Sequence, residues 1–236
     1  IDIVVFNAGA GQLQPSLETP AKAIQRIMDV NALWSMILTP LLFKHGIFRS
    51  HQRDETDRTS TTTTTTTAPH IVVTNSIAAQ LPVPLSAVYA ASKAAQAHYF
   101  ASLVAEQAPG SIRVDVLCPG PIDTDFHQNH AKIMVDGKST SNNSSKTVAT
   151  TSTSTKRKPP RTKMAVDQCV RLMVAATAKK TRSGYQEIWI APRPLISVMF
   201  LQRLFPGLFQ RLTTKFGQKR VQLWREGKDL YDPKSW

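Results

Sequence analysis

Four short runs rich in β-branched residues punctuate this chain: Ile1–Phe6 (IDIVVF), Ile71–Thr74 (IVVT), Ile112–Leu117 (IRVDVL) and Gln186–Ile190 (QEIWI). Each has the length and composition of a buried strand. Helical patterns lie between them. Pro20–Phe43 carries Ile24, Ile27, Met28, Leu33, Met36, Ile37 and Leu41 at helical spacing. Ser86–Gln107 is rich in Ala, with Ser86 placed to cap its start, and Ala165–Ala178 repeats Val166, Val170, Leu172 and Val174. Strands alternating with helices constrain the chain to a parallel sheet covered on both faces. Right-handed crossovers then gather the C-terminal ends of the strands on one edge, where open α/β sheets bind their ligands. The expected class is α/β, a doubly wound parallel sheet.

Two low-complexity stretches interrupt the pattern. HQRDETDRTSTTTTTTTAPH, within 50–70, falls between a helix end and a strand start, on the edge away from the expected ligand site. It reads as a tolerated repeat. The stretch 132–163 holds Lys132, Lys138, Lys146, Lys156, Arg157, Lys158, Arg161 and Lys163 against Asp136 alone, more than half of the net charge of +13. KRKPPRTK has no aromatic interleaving for base stacking, so a solvated loop is expected and no nucleic-acid partner. Cys118 and Cys169 give neither metal spacing nor a disulfide framework and read as buried thiols of an intracellular protein. No uninterrupted apolar run is long enough to span a bilayer. The first residue is Ile1, already inside a strand pattern, as in a fragment, a processed form or a truncated gene product.

The strand ends carry the chemistry. The first run leads into Asn7, Ala8 and Gly9, the second into Ser76, and the third into Cys118-Pro119-Gly120-Pro121, then Ile122 and Thr124. Small or hydroxyl residues thus fall at one edge three times in order, where backbone can approach a ligand closely. The helix after the second strand contains Tyr89-Ala90-Ala91-Ser92-Lys93. Spacing of i and i+4 puts Tyr89 and Lys93 on one helical face, where an ammonium favours the phenolate and draws a phenol toward the range of a general acid or base. Taken singly, Tyr89 reads as a core aromatic, Lys93 as a surface lysine, Ser76 as a turn residue and Asn31 as a polar helix position. Their common order along the chain argues against four coincidences.

NAG after a strand, Ser76 thirteen residues before YAASK, CPGPIDT after the next strand and the helical Asp29-Val30-Asn31 together resemble the short-chain dehydrogenase/reductase family. The resemblance extends from Ile1 to about Pro192, the two inserts excepted. It implies an enzyme that interconverts a carbonyl and an alcohol with NADP or NAD, NADP being the favoured of the two. Tyr89 would move the proton, Ser76 would hold the substrate oxygen, Lys93 would bind the nicotinamide ribose and Asn31 would place a water. Asn7, Ala8 and Gly9 would line the cofactor cleft, and Pro119, Gly120, Ile122 and Thr124 would sit against the nicotinamide. The family opens with a strand and a TGxxxGxG turn whose helix N-terminus receives pyrophosphate. That pattern does not occur in these 236 residues. The expected architecture is therefore a Rossmann-like domain over 1–192 without its first βαβ portion, followed by a tail over 193–236.

The tail joins an apolar stretch, PLISVMFLQRLFPGLFQRL, to Lys215, Lys219, Arg220 and Arg225, with Pro206-Gly207 dividing it into two helices. Two roles compete for it. It could roof a substrate pocket or meet a partner, or it could lie on an anionic membrane surface. It is similar to the tails of membrane-associated members of the family that act on steroids, retinoids or other lipids. A hydrophobic substrate is thus the expectation, at the endoplasmic reticulum or another membrane. A homodimer paired through the Ala-rich helix is the expected assembly. The alternative is a catalytically inactive truncated relative serving as a membrane- or partner-binding module.

Overall fold

In a computed structural model of the chain, residues 1–48, 68–124, 163–179, 184–228 and 230 are described. Most of both low-complexity stretches lies outside them. Four strands, β1 (Ile3–Phe6), β2 (His70–Thr74), β3 (Arg113–Pro119) and β4 (Gly184–Ile190), form one sheet in chain order. All pairs are parallel. Every connection must therefore cross the sheet, and the helices supply the crossovers: α1 (Ala21–Met28) and α2 (Trp34–Lys44) after β1, α3 (Ala87–Ala105) after β2, and α4 (Val166–Ala178) before β4. Two further helices, α5 (Arg193–Leu204) and α6 (Pro206–Arg225), form the tail.

The registers put Val4 opposite Ile71, Ile71 opposite Val114, Phe6 opposite Val73 and Val73 opposite Val116. Alternation by two sends all these side chains to one face, where they join Ala97 and Phe100 of α3 and Trp34 and Leu38 of α2 in the main core. The ring of Phe6 meets Trp34 edge-on, with centroids 5.0 Å apart. On the opposite face Ile3 and Val5 of β1 are more than half exposed. That face is thus bare at β1, while His70 and Val72 of the neighbouring β2 are buried on it.

α1 and α2 form one continuous rod joined by a π-helical turn at Asp29–Leu33. The large apolar residues at helical spacing do lie on this rod, but of them only Ile27 is fully buried. Ala23, Ile27, Asn31, Ala32, Ser35 and Thr39 are buried, whereas Ile24, Ile37 and Leu41 are exposed. Small side chains on the inner stripe let the rod approach closely, and the Ser35 and Thr39 hydroxyls bond to carbonyls within the rod itself. By length and composition Ala21–Lys44 is also long and apolar enough to cross a membrane. Its buried Asn31 and Ser35 instead bond to residues of α3, which fits a helix packed against protein.

The start of α3 departs from expectation. Ser86 occupies the N-cap position, but its hydroxyl donates to the Gln12 carbonyl (2.8 Å). The first-turn amide of Val88 is satisfied by Gln12 Oε1 at 3.2 Å, a cap reached across the fold from the loop after β1. In α4, likewise, Val166, Val170, Leu172 and Val174 are exposed and Cys169 is the buried position.

Candidate active site

The C-terminal ends of β1, β2 and β3 meet the first half of α3, and the expected site residues gather there. Ser76 follows β2 by two residues in extended backbone, and its Oγ accepts from Ala78 N at 3.1 Å. The Tyr89 phenol shares a hydrogen bond with the Ser76 side chain. One turn further along α3, Lys93 is buried at 3% exposure and its Nζ donates to the Thr74 carbonyl (2.8 Å) and Gln96 Oε1 (3.4 Å). Ser76, Tyr89 and Lys93 therefore share one locus between β2 and α3, as the i, i+4 spacing required.

Asn31 lies in the π-helical turn and is fully buried. Its Oδ1 accepts from Ala10 N (2.7 Å), while its Nδ2 donates to Ala10 O and to Ser92 Oγ, both at 2.8 Å. Ser92 Oγ in turn donates to the Tyr89 carbonyl (2.7 Å). A single amide thus clamps the loop after β1 to the helix that carries Tyr89. π-turns recur at functional sites because one extra residue re-aims a side chain. Asn7, Ala8 and Gly9 are exposed at the end of β1. A Cβ added to Gly9 would lie 3.7 Å from both Asn31 Oδ1 and Lys93 Nζ, so the missing side chain keeps the approach to that ammonium open.

Pro119 closes β3 in register with Ile190. At Gly120 a Cβ would come within 3.0 Å of the Ala191 side chain, so glycine is what lets the two strand ends lie this close. Ile122 bridges Met164, and Asp123 N donates to the Met164 carbonyl. Thr124, at the mouth of the undescribed stretch, is exposed.

Burial pushes the Tyr89 phenol above its ordinary value, the bond with Ser76 draws it down, and the Cys118 thiol adds a smaller upward push. Lys93 moves the other way. Desolvation lowers it to about 8, against a small opposing effect of Cys118. The expected pull of the ammonium on the phenol is thus not the governing effect here: burial is, with Ser76 and then Cys118 after it.

Several polar residues of the site carried no signal in the sequence. Asn75 accepts from Ser76 N (2.8 Å) and donates to the Lys93 carbonyl (2.9 Å), tying the two functional positions together. Glu187 of β4 accepts from Gln80 (2.9 Å) and Trp189 (2.6 Å) and lies 3.7 Å from Cys118 Sγ. Gln80 Oε1 receives Arg203 of α5 at 3.0 Å, which brings the tail to the site's rim. α6 extends that contact. Trp224 donates to the Leu13 carbonyl, and Leu223 packs with Leu85, whose φ of 70° is left-handed. A branched side chain keeps such backbone only where neighbours hold it. Here the tail does so, two residues before α3 begins and four before Tyr89.

A family model described as short chain dehydrogenase matches residues 1–134. Dehydrogenase/reductase SDR family member 7 of Homo sapiens is 29% identical over 231 residues, covering 97% of this chain and 57% of that protein. Member 7B of Bos taurus is 27% identical over 219 residues, 93% of this chain and 56% of that protein. The chain thus spans little more than half the length of these relatives. Among solved structures, a short chain dehydrogenase from Burkholderia cenocepacia J2315 in complex with NADP matches 90% of this chain and 68% of its own, with a TM-score of 0.56 and 24% identity. A 4-hydroxyisoleucine dehydrogenase complexed with NADH and succinate matches 80% of this chain and 66% of its own, with a TM-score of 0.53 and 18% identity. These two likenesses speak for the fold alone. The matched stretch contains β1, β2, β3 and the whole of α3, so family signature and strand-end geometry coincide on the same residues, and the chain belongs to the short chain dehydrogenase family.

Proposed function

We propose that this protein interconverts a carbonyl and an alcohol with a nicotinamide cofactor, with Tyr89, Ser76, Lys93 and Asn31 as its working residues. One observation carries the reading: a phenol bonded to a strand-end hydroxyl, one helical turn from a buried ammonium, all at the C-terminal edge of a parallel sheet. Tyr89, kept protonated by burial, is suited to give its proton to a carbonyl oxygen. Ser76 Oγ is placed to donate a hydrogen bond to that same oxygen and so to steady the charge that develops there.

NADP or NAD is the cofactor this reading requires, and when bound it supplies or accepts the hydride. The residues present fit its nicotinamide-ribose end. Lys93 offers a buried ammonium beside the side-chain-free Gly9, and Asn7 and Ala8 continue that open rim. Pro119, Gly120, Ile122 and Thr124 edge the adjoining strand end. Two structural neighbours of the same fold are NADP and NADH complexes. The test is a fluorescence titration of the purified chain with NADPH and NADH. Saturable binding at micromolar concentration is expected; a folded chain that binds neither overturns the reading.

The substrate in this reading is hydrophobic. The tail that reaches the rim through Arg203 and Trp224 brings an apolar surface with it. The opposite side of the tail supports a membrane-surface role for the protein inside the cell. Leu204, Phe205, Leu208 and Leu212 are each more than half exposed, and Arg211 and Lys215 stand beside them in sequence. Apolar side chains flanked by cations suit an anionic lipid interface. Flotation with phosphatidylserine-containing vesicles, but not with phosphatidylcholine alone, is the expected result. Leu208→Glu with Leu212→Glu should abolish it, and a pair that still floats removes the tail from this role. Pairing of two copies along α3 belongs to the same reading.

A further inference from the structure

Among the described residues the Lys93 ammonium is buried without a carboxylate partner. Its two acceptors are neutral: the Thr74 carbonyl at 2.8 Å and Gln96 Oε1 at 3.4 Å. Gln96 follows Lys93 by three residues on α3 and is itself fully buried. A buried amide has two ends, and the surroundings decide which faces the ammonium. The Ser35 hydroxyl gives its proton to the Ala32 carbonyl (2.8 Å), so its oxygen is free to accept from Gln96 Nε2 (3.1 Å). On the other side Asn75 Nδ2 also donates to Gln96 Oε1 (3.4 Å). Two donors, Lys93 and Asn75, thus require the oxygen of Gln96 where it stands, and the Ser35 acceptor requires its nitrogen. The orientation is set by the donor and acceptor inventory alone.

We infer that Gln96 is a positioning residue for Lys93: its oriented amide dipole fixes where the ammonium sits and sets how tightly that ammonium holds its proton. This rests on the reading of Lys93 as a working residue of the site and names a residue that acts through it. Gln96 touches neither the open rim at Gly9 nor the Tyr89–Ser76 pair. Its effect reaches the chemistry only through Lys93 Nζ and, through Asn75, the backbone of Ser76. The ionisable groups around the ammonium are few. Tyr89 shares its helix, Cys118 faces it from β3, and Glu187 of β4 stands behind Cys118. Among the described residues, β1, β2 and the segments after them, with α2, present neutral groups to it: Gly9, Thr74, Asn75, and Ser35 by way of Gln96. With desolvation acting against the charge, a neutral acceptor of fixed orientation becomes the adjustable element.

The test follows the Lys93 side-chain resonance by NMR in the chain labelled with 13C-lysine, assigned by its loss in Lys93→Met and titrated with pH without cofactor or substrate. Gln96→Leu removes the acceptor and should lower the proton affinity of Lys93 by about tenfold. Gln96→Glu keeps the shape, replaces the dipole with a carboxylate, and should raise it by about tenfold or more. Gln96→Asn, one methylene shorter, should fall between Gln96→Leu and the parent. A Lys93 midpoint that moves by less than about twofold in affinity in a folded Gln96→Glu chain overturns the inference, and that variant decides the matter if Gln96→Leu does not fold. Because no turnover is read, failure of this inference and failure of the enzyme reading are separate outcomes. A shifted midpoint in a chain that binds no nicotinamide leaves Gln96 as the partner of Lys93 and removes only the cofactor.

Discussion

Replacing Tyr89 with Phe is expected to lower turnover of a carbonyl substrate by about 10²–10⁴-fold, the usual contribution of a positioned general acid, while nicotinamide binding changes little. The reasoning is local. Phe keeps the ring that packs at the start of α3 and removes only the oxygen that bonds Ser76. The substrate oxygen would then meet a hydroxyl that can bond it but no group placed to protonate it. Ser76→Ala should give a smaller loss, because Tyr89 retains its proton. The pH dependence separates the roles further. Burial holds the phenol above its ordinary value, so in the neutral range it stays protonated. Lys93, lowered to about 8, loses its charge as pH rises through that value. Activity in kcat/KM should therefore be sustained below about 8 and fall above it. Steady-state rates across pH, with cofactor binding measured in parallel, check both statements. A Tyr89→Phe protein that keeps its parent's turnover would remove the phenol from the mechanism.

How much of this arrangement could be read beforehand follows from how far apart the partners are in sequence. Tyr89 and Lys93 declare themselves because a helix repeats within four residues. Asn7–Gly9, Ser76 and Pro119–Gly120 do so because strands alternating with helices leave one topology to consider. The strand limits shifted slightly for a related reason. β3 runs on to Pro119 because Cys118 and Pro119 find Trp189 and Ile190 as partners, and β4 starts at Gly184 because Gly184 and Tyr185 find Arg113 and Val114; pairing is decided by the neighbour. The partners of the working residues were less visible. Gln12 caps α3 from 76 residues away, and Asn31 reaches Ser92 across 61. Gln96 shares its helical face with Ser92, Lys93 and Phe100, and its partners Ser35 on another helix and Asn75 after β2 were not visible from that spacing. Large apolar residues misled for the opposite reason. Ile24, Ile37 and Leu41 mark the rod as helical but say nothing of which side turns inward, and small polar residues took that side.

Asp115→Asn should destabilise the fold by about 3–5 kcal/mol, the cost of breaking a buried ion pair by removing one partner. An aspartate is ordinarily found at the surface. Asp115 is instead wholly buried, with its Oδ2 2.8 Å from His70 Nε2 and 2.5 Å from Arg113 Nη2. Arg113 continues to the carbonyls of Thr177 and Lys179 at the end of α4. One carboxylate thus joins the starts of β2 and β3 and, through Arg113, the helix that precedes β4. Asparagine keeps the shape but leaves a guanidinium with little access to water and no opposite charge. Burial pushes the Asp115 carboxyl up, yet hydrogen bonds from His70 and Arg113 and their charges outweigh it, so it titrates below its ordinary value. A carboxyl depressed on folding contributes stability that is present above its unfolded value of about 4 and lost as pH falls through the folded one. The parent should therefore lose stability on acidification below about pH 4 more steeply than Asp115→Asn does. Asp123 is the control: its bond to Lys163 is 3.6 Å long with the carboxylate half exposed, and Asp123→Asn should cost less than about 0.5 kcal/mol. Urea unfolding at neutral pH reads both as shifts of midpoint at constant slope. If the two variants unfold together, the buried network contributes no more than a surface pair, and the join between β2, β3 and α4 rests on apolar contact alone.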